Sequence, residues 1–409
     1  MTTEPTERPM QQKKYDGYKS YSYLEPHVDY KVFPLAQEIN RVPSRKVDVS
    51  PEEEERVRRI FQEQLIISLH DHCFVAPEDL DQFMEFRRWG RDWTGYEGLS
   101  VSGLDCVFDN LMNGTAMITS RGGWKWDDII YDLGMRLSDI DHQDMVVLCR
   151  TTQDIVNAKR NGQIAFVVSI EGAAMIENEL DRLDILYGLG VRCLGIAYSE
   201  GNQLGGGLKE PRDGGLTSFG RKAVQRMNRL GIAIDVSHSG DQTSLDTIEV
   251  SDKPVFITHA GARALWNSNR LKPDDVIKAC AEKGGVIGIE AAPHTTISEK
   301  NSRHSIESYM EHYEYCVNLV GIDHVAFGPD VLFGDHVGLH TTLSAALSIG
   351  ASRGHLPYEK VPYVDGIENP AEAFPNIVRW LVKHGYSDSD IGKAVGGNIM
   401  RVLKEVWYR

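Results

Sequence analysis

Five apolar runs in this chain end on residues that bind metals. Leu65-Ile66-Ile67 leads into Ser68-Leu69-His70-Asp71-His72, and Ile164-Ala165-Phe166-Val167-Val168 leads into Ser169-Ile170-Glu171-Gly172. Ile232-Ala233-Ile234-Asp235-Val236 ends at Ser237-His238, Pro254-Val255-Phe256-Ile257 at Thr258-His259, and Val325-Ala326-Phe327-Gly328 at Pro329-Asp330. Four imidazoles and two carboxylates placed this way match the catalytic face of a (β/α)8 barrel, where side chains at strand ends do the chemistry. They are also the ligand types that a hydrolytic zinc pair requires. Side chains alternate along a strand, so His70 and His72 stand on the same side. At roughly 6–7 Å along the backbone they can converge on one ion. A lone His-x-His pair is common on surfaces. This one gains weight from His238, His259 and Glu171, which close other strands.

The elements that would carry these residues alternate along the sequence. Eight strands are expected to begin near Leu65, Gly114, Ile164, Arg192, Gly231, Pro254, Gly285 and Asp323, with helical patterns between them. In the helix expected over 218–230, Ala223, Val224, Met227 and Leu230 share a face. Strands alternating with helices imply a parallel sheet, and eight of them imply closure. The fold class is therefore α/β, a (β/α)8 TIM barrel. Gly190, Gly231, Gly284 and Gly321 sit at helix exits, where a left-handed turn feeds the next strand. Residues 1–60 read as a partly extended N-terminal arm and 61–409 as the barrel. The arm is polar, Tyr-rich and Pro-rich, with too few apolar residues for a core of its own, so it should drape over the body or a neighbouring subunit. Near its end, Ser50-Pro51 followed by Glu52 to Glu55 predicts a capped helix start. The stretch from Phe333 to Asn376 is expected to be a long loop with a short helix.

Composition narrows the function. The chain has 409 residues and a formal net charge of -15. That balance argues against a nucleic-acid partner, because phosphate binding needs clustered Lys and Arg. No apolar run is long enough to cross a membrane, and the N-terminus lacks the pattern of a secretory signal. The six cysteines contain no Cys-x-x-Cys pair and are expected to be buried free thiols in a reducing cytoplasm. Cys73 follows the His70-Asp71-His72 segment and either touches the site or packs beneath it. Glu171 sits where a carboxylate could bridge two cations, or could simply occupy a helix start. Asp330 closes the last strand, where an acid can take a proton from an activated water and return it to a leaving amine. His336 and His340 could form a second metal site, though an exposed loop is the plainer reading. Trp124 and Trp126 could wall an apolar pocket or pack as helix residues.

Beyond single residues, the chain resembles the membrane (renal) dipeptidase family, the M19 metallopeptidases of the amidohydrolase-type barrels, over about residues 62–405. The stretches that carry the resemblance are Val168 to Gly172, Gly215 to Gly220, Asn228 to His238, Pro254 to His259, Phe327 to Asp330 and Gly396 to Val402. The resemblance implies two zinc ions per chain, bridged by Glu171. One is also held by the first-strand motif, the other by His238 and His259. It implies Asp330 as the acid/base and Arg270 as the residue that binds a substrate carboxylate, a task suited to the guanidinium fork.

The departures fall around the substrate. The family's first motif is His-x-Asp, and here His72 stands where the Asp would be. If His72 is a ligand, the pair is more positive and its water more acidic. Tyr198 replaces a His that contacts the reacting carbonyl oxygen, and can still donate a hydrogen bond to an oxyanion. Ala292 replaces a tyrosine, Glu290 an asparagine and Leu332 a second aspartate. Glu290 and Glu200 either hold a cationic or amine-bearing substrate or stand as solvated loop residues.

The expectation is a cytoplasmic, homo-oligomeric (dimeric or higher) zinc hydrolase that cleaves an amide-type C–N bond in a small molecule by metal-activated water. Dipeptides and N-acyl amino acids lead the substrate classes. The alternatives are a non-peptide amidohydrolase acting on a lactam or xenobiotic amide, a lyase or decarboxylase on the same barrel, and a binding protein that kept the fold.

Overall fold

Nine strands form one sheet in the computed structural model, which describes residues 10–110, 125–342 and 357–408. They are β1 (Ile67–Asp71), β2 (Cys106–Asn110), β3 (Val146–Leu148), β4 (Ile164–Ile170), β5 (Val191–Gly195), β6 (Ala233–Asp235), β7 (Phe256–Ala260), β8 (Val286–Ile289) and β9 (Val325–Phe327). The order β1-β2-β4-β5-β6-β7-β8-β9 is parallel throughout, and β3 pairs with the first part of β4. At the strand tips the Asp330 amide donates to the His70 carbonyl (3.0 Å) and the His72 amide to the Val331 carbonyl (2.9 Å). These bonds bring the last strand back to the first. The architecture is a nearly closed (β/α)8 barrel.

Two buried layers follow from the alternation of strand side chains. Ile67, Leu69, Cys106, Phe108, Ala165, Val167, Cys193, Phe256, Val286 and Ala326 point inward. They form one cluster with Val402, Leu403, Val406 and Trp407 of the C-terminal segment, which plugs the barrel from below. Val107, Phe166, Val168, Ile234, Ile257, Ile287 and Phe327 point outward and pack under the helices. The strands are apolar on both faces, as parallel strands covered on both sides must be.

The barrel's irregularities matter as much as its regularity. Ser68 pairs with Val107 and Asp71 with Asp109, so β1 carries one extra residue between them. Ile257 pairs with Ile287 and Ala260 with Ile289, so β7 does the same. A bulge breaks the alternation and lets two successive residues face one way. In β1 those are Leu69 and His70, and in β7 they are Thr258 and His259. Without the bulges, strict alternation would turn both histidines outward. Asp71, left on the outer side, accepts from Ser68 Oγ (2.5 Å) and the Val331 amide (3.1 Å), which fastens β1 to the segment after β9.

Expected elements recur with some shifts. The helix over Ser218–Leu230 is present, with Ala223, Val224 and Met227 buried and Leu230 half-buried. The Pro51–Glu63 helix starts with a capping box between Ser50 and Glu53. Gly190, Gly231, Gly284 and Gly321 all have positive φ. The strand expected near Gly114 lies outside the described residues, and the second barrel position is filled earlier, by β2. The stretch after Phe333 holds the helix His336–Thr342, and a longer helix starts at Pro370, before the expected end of the loop at Asn376. No helix among the described residues is long and apolar enough to cross a membrane.

The arm lies against its own barrel. Asp139 accepts from the Tyr21 amide, Ser20 Oγ and Tyr18 Oη, while Lys13 Nζ pairs with buried Asp105 at 2.9 Å. Phe33 enters a cluster with Phe74, Phe83, Phe86, Leu332 and Leu339. That cluster lies directly beyond His72 and Asp330 and so supports the tips of β1 and β9.

Glycine substitutions separate close approach from empty space. Any side chain at Gly195 would drive a Cβ into the Glu171 carbonyl, whereas at Gly134, exposed on the helix Trp126–Ile140, nothing is within reach. Gly195→Ala should cost about 1–3 kcal/mol, while Gly134→Ala should stabilise by about 0.4–1 kcal/mol. Urea midpoints measure both. Equal effects would contradict the packing described at Gly195.

Candidate metal centre and its surroundings

The strand tips bring the six expected donors together. Three overlapping groups have ligand atoms within 4.8 Å of one another: His70, His72 and Glu171; His70, His259 and Asp330; Glu171, His238 and His259. Glu171 lies between two imidazole pairs. Its Oε1 is 3.7 Å from His72 Nε2, and its Oε2 is 3.1 Å from His238 Nε2 and 3.8 Å from His259 Nε2. Asp330 Oδ1 faces His72 Nε2 at 3.1 Å and His70 Nε2 at 3.3 Å. The rings of His70 and His259 stack at 3.4 Å, and the Nε2 atoms of His238 and His259 approach to 3.0 Å. All six side chains are buried.

Neighbouring groups set which ring nitrogen is free. His72 Nδ1 faces the Asn110 carbonyl at 3.3 Å; a carbonyl only accepts, so Nδ1 carries a hydrogen and Nε2 is the nitrogen that faces the site. His259 Nδ1 meets Thr258 Oγ1 at 2.7 Å, within a chain that links Asp235, Ser237 and Thr258. The Asn110 carboxamide lies 2.6 Å from His70 Nδ1. A half-turn exchanges its oxygen and nitrogen, and with the oxygen toward Nδ1 the His70 Nε2 is likewise the nitrogen that faces Asp330 and the site. Glu171 Oε1 and His238 Nδ1 are buried without a hydrogen-bond partner among the described residues. Such a set of ring nitrogens and carboxylate oxygens facing one another suits divalent cations. Imidazole and carboxylate without thiolate suit a borderline divalent metal ion.

Protonation follows from burial and neighbours. Burial holds His238 and His259 well below the usual imidazole range, with Arg270 and His70 adding to it. Burial also pushes the Glu171 carboxyl up, against the opposing charge of His72. For Asp330, burial alone would raise the value, but hydrogen bonds from His70 and His72 outweigh it and hold the carboxyl well below its usual range. His72 is the reverse case: burial opposes its charge, yet Asp330 and Glu171 lift it to about 9.

Beyond the six donors, Tyr198 stacks on His238 with ring centres 4.1 Å apart. Burial, then Glu171, raise its hydroxyl well above the usual range, so it remains a donor. Arg270 Nη1 donates to the His259 carbonyl at 3.1 Å, and its Nη2 contacts Glu290 and lies 3.8 Å from Asp330 Oδ2. Glu290 is fully buried, so it is not a solvated loop residue. Glu200 is exposed and pairs with Lys209 at 3.0 Å, the solvated alternative. Cys73 is buried and belongs to the outer apolar layer. His336 departs from the exposed-loop reading: it is buried at the start of a helix, and burial pulls it down to about 4. Trp126 begins a helix and lies under the Arg182 guanidinium, while Trp124 is outside the described residues.

Sequence reasoning missed Asn110, because it placed the second strand too late. The run Cys106-Val107-Phe108-Asp109-Asn110 ends on polar residues in the same manner as the others and carried the signal.

The sequence profile of a family described as membrane dipeptidase (peptidase family M19) matches residues 132–342. Dipeptidase verJ of Clonostachys rogersoniana is 26% identical over 358 residues, covering 86% of this chain and 81% of that protein. Dipeptidase tcpJ of Claviceps purpurea (strain 20.1) is 27% identical over 278 residues, covering 67% of this chain and 58% of its own length. Among solved structures, an amidohydrolase from Pseudomonas aeruginosa superposes with a TM-score of 0.69 at 27% identity, over 86% of this chain and 99% of that one.

His72 offers a test of the electrostatics in metal-stripped protein. Its folded value of about 9 lies above the roughly 6.5 of an unperturbed imidazole, so the folded state holds the proton more tightly. The resulting stabilisation is fully present below pH ~6.5 and is lost as pH rises through about 9. The difference in urea midpoint between the parent chain and His72→Gln should therefore shrink between pH 6 and pH 9.5. A pH-independent difference would show that His72 is not charged among these carboxylates.

Proposed function

Because the chain belongs to the membrane dipeptidase family, peptidase family M19, we propose that it is a binuclear zinc hydrolase of amide-type C–N bonds in small substrates such as dipeptides. The observation that carries this reading is Glu171, whose two oxygens each face a separate imidazole group. In this reading His70, His72 and Glu171 hold one ion, and Glu171, His238 and His259 hold the other. When bound, the pair supplies Lewis acidity toward a carbonyl oxygen and a water acidic enough to serve as nucleophile near neutral pH.

The chain's own groups do the rest. Asp330 is held ionised and within reach of His70, His72 and His259, so it can accept the proton of the attacking water and deliver it to the departing nitrogen. Its backbone has a positive φ of 58°, an uncommon conformation for a residue other than glycine. The hydrogen bond from its amide to His70 holds it there. Tyr198 keeps its proton and can donate to the oxygen that gains charge. With an ion bound, His72 would be neutral where a carboxylate would be anionic, which leaves the donor set with two anionic members, Glu171 and Asp330, and favours a more acidic water. Six buried free cysteines suit a reducing cytoplasm.

Two variants separate ion binding from proton transfer. His238→Ala should lose about one zinc per chain by elemental analysis, together with nearly all turnover. Full zinc content and normal turnover would remove His238 from the ligand set. Asp330→Asn should keep most zinc and its melting temperature, yet lose about 10²–10⁴-fold in kcat. Loss of both ions instead would make Asp330 a ligand first, and unchanged turnover would assign the proton to another group.

A further inference from the structure

Eight large apolar side chains are exposed among the described residues, and five of them lie on one face, where the arm meets the helix Phe83–Trp89. Val28, Trp89 and Tyr131 line an open groove of about 730 Å3. Val32 and Met84 flank it, because each adjoins one member of the Lys31–Glu85 ion pair, which closes at 2.7 Å on the same groove. The short helix is apolar on both sides. Phe83 and Phe86 point inward, into the cluster with Phe33 and Phe74, while Met84 and Trp89 stay outside. The walls of the groove are fastened to each other: the Lys31 amide donates to the Trp89 carbonyl (2.8 Å), and Arg91 Nη2 to the Asp29 carbonyl (2.8 Å). Arm and helix end therefore form one continuous surface.

Area and charge say what this surface fits. At about 150–250 Å2 for a whole large side chain, the five exposed fractions amount to on the order of 500 Å2. Monomers rarely leave so much contiguous apolar surface without a use. Each partner in a dimer interface of standard size contributes about 800 Å2, a little over half of it apolar, and the five side chains supply that share. The chain carries a net charge of -15, so two copies repel over an average approach. This face does not share the excess: Lys31, Arg88 and Arg91 stand around the groove with Asp29 and Glu85. Both signs of charge, and a protruding Trp89 beside a groove, make the face complementary to itself. Self-complementarity is what a two-fold contact between identical chains requires. Trp, Tyr, Met and Arg are also the residue types enriched at such contacts.

We propose that this face is the interface of a two-fold dimer of the chain, with Trp89 of each copy entering the groove of the other and the arginines meeting Asp29 and Glu85 across the axis. The dimer closes over the arm and over the aromatic cluster that supports the tips of β1 and β9. The proposal stands apart from the hydrolase reading, since it concerns assembly and is measured without turnover.

Sedimentation velocity of the full chain at micromolar concentration tests it. The parent should sediment with twice the 45.9 kDa of one chain. Trp89→Glu and Val28→Asp should each raise the dimer dissociation constant at least about tenfold, with an unchanged circular dichroism spectrum. Ile185→Asp replaces an exposed apolar side chain outside the groove, on the helix Asp181–Gly188, and should leave the dimer intact. A monomeric parent chain would overturn the proposal. A dimer that both groove variants leave unchanged would do the same, because the interface would then lie elsewhere. Equal weakening by Ile185→Asp would also overturn it, by showing that surface hydrophobicity in general, and not this groove, drives association. If Trp89→Glu does not fold, Val28→Asp decides, since Val28 is 70% exposed and its replacement disturbs no core.

Discussion

A carboxylate buried between two pairs of imidazoles is the constraint around which this molecule is arranged. Glu171 is 3% exposed, and its Oε1 has no hydrogen-bond partner among the described residues. An ionised carboxylate in that state costs several kcal/mol unless positive charge compensates it. Protonated His72 supplies part of that charge in the absence of ions, and divalent cations would supply far more. The balance explains why His72 is held charged while His238 and His259, nearer to Arg270, are held neutral.

The barrel serves that constraint through departures from regularity. A parallel strand presents every second residue to the interior, and the apolar filling of β1 and β7 occupies those positions. One extra residue in each strand turns His70 and His259 inward at the tips without disturbing the apolar layers below. Glycine at 195 leaves room for the backbone of Glu171, and glycine at 328 lets β9 close against His70. The arm and the aromatic cluster around Phe74 then support the β1 and β9 tips from outside. Function at this site is therefore a property of strand ends and bulges, while the layers beneath supply stability.

Much of this was legible in the residue order. Apolar runs ending in His, Glu or Asp marked six donors, and the structure brings all six to one place. The Ser218–Leu230 helix and the Ser50 cap followed from periodicity and turn chemistry. What could not be read has physical causes. The bulges leave no mark in a hydrophobic pattern, because they concern pairing register with a distant strand. The second barrel strand was misplaced because Cys106 to Asn110 is short and ends on an Asp-Asn pair that reads as a turn. Burial of Glu290 and His336 depends on segments far away in the chain, such as the loop that carries Arg270, and no local pattern encodes that.

In the proposed function Glu171 would join two ions into one unit. Electron paramagnetic resonance of the chain loaded with two Mn2+ tests it directly, since ions sharing a carboxylate couple their spins and isolated ions do not. The account predicts a coupled spectrum for the parent chain at two ions per chain, and its collapse to uncoupled signals in Glu171→Gln. Two isolated Mn2+ signals in the parent chain, or saturation at a single ion, would contradict it.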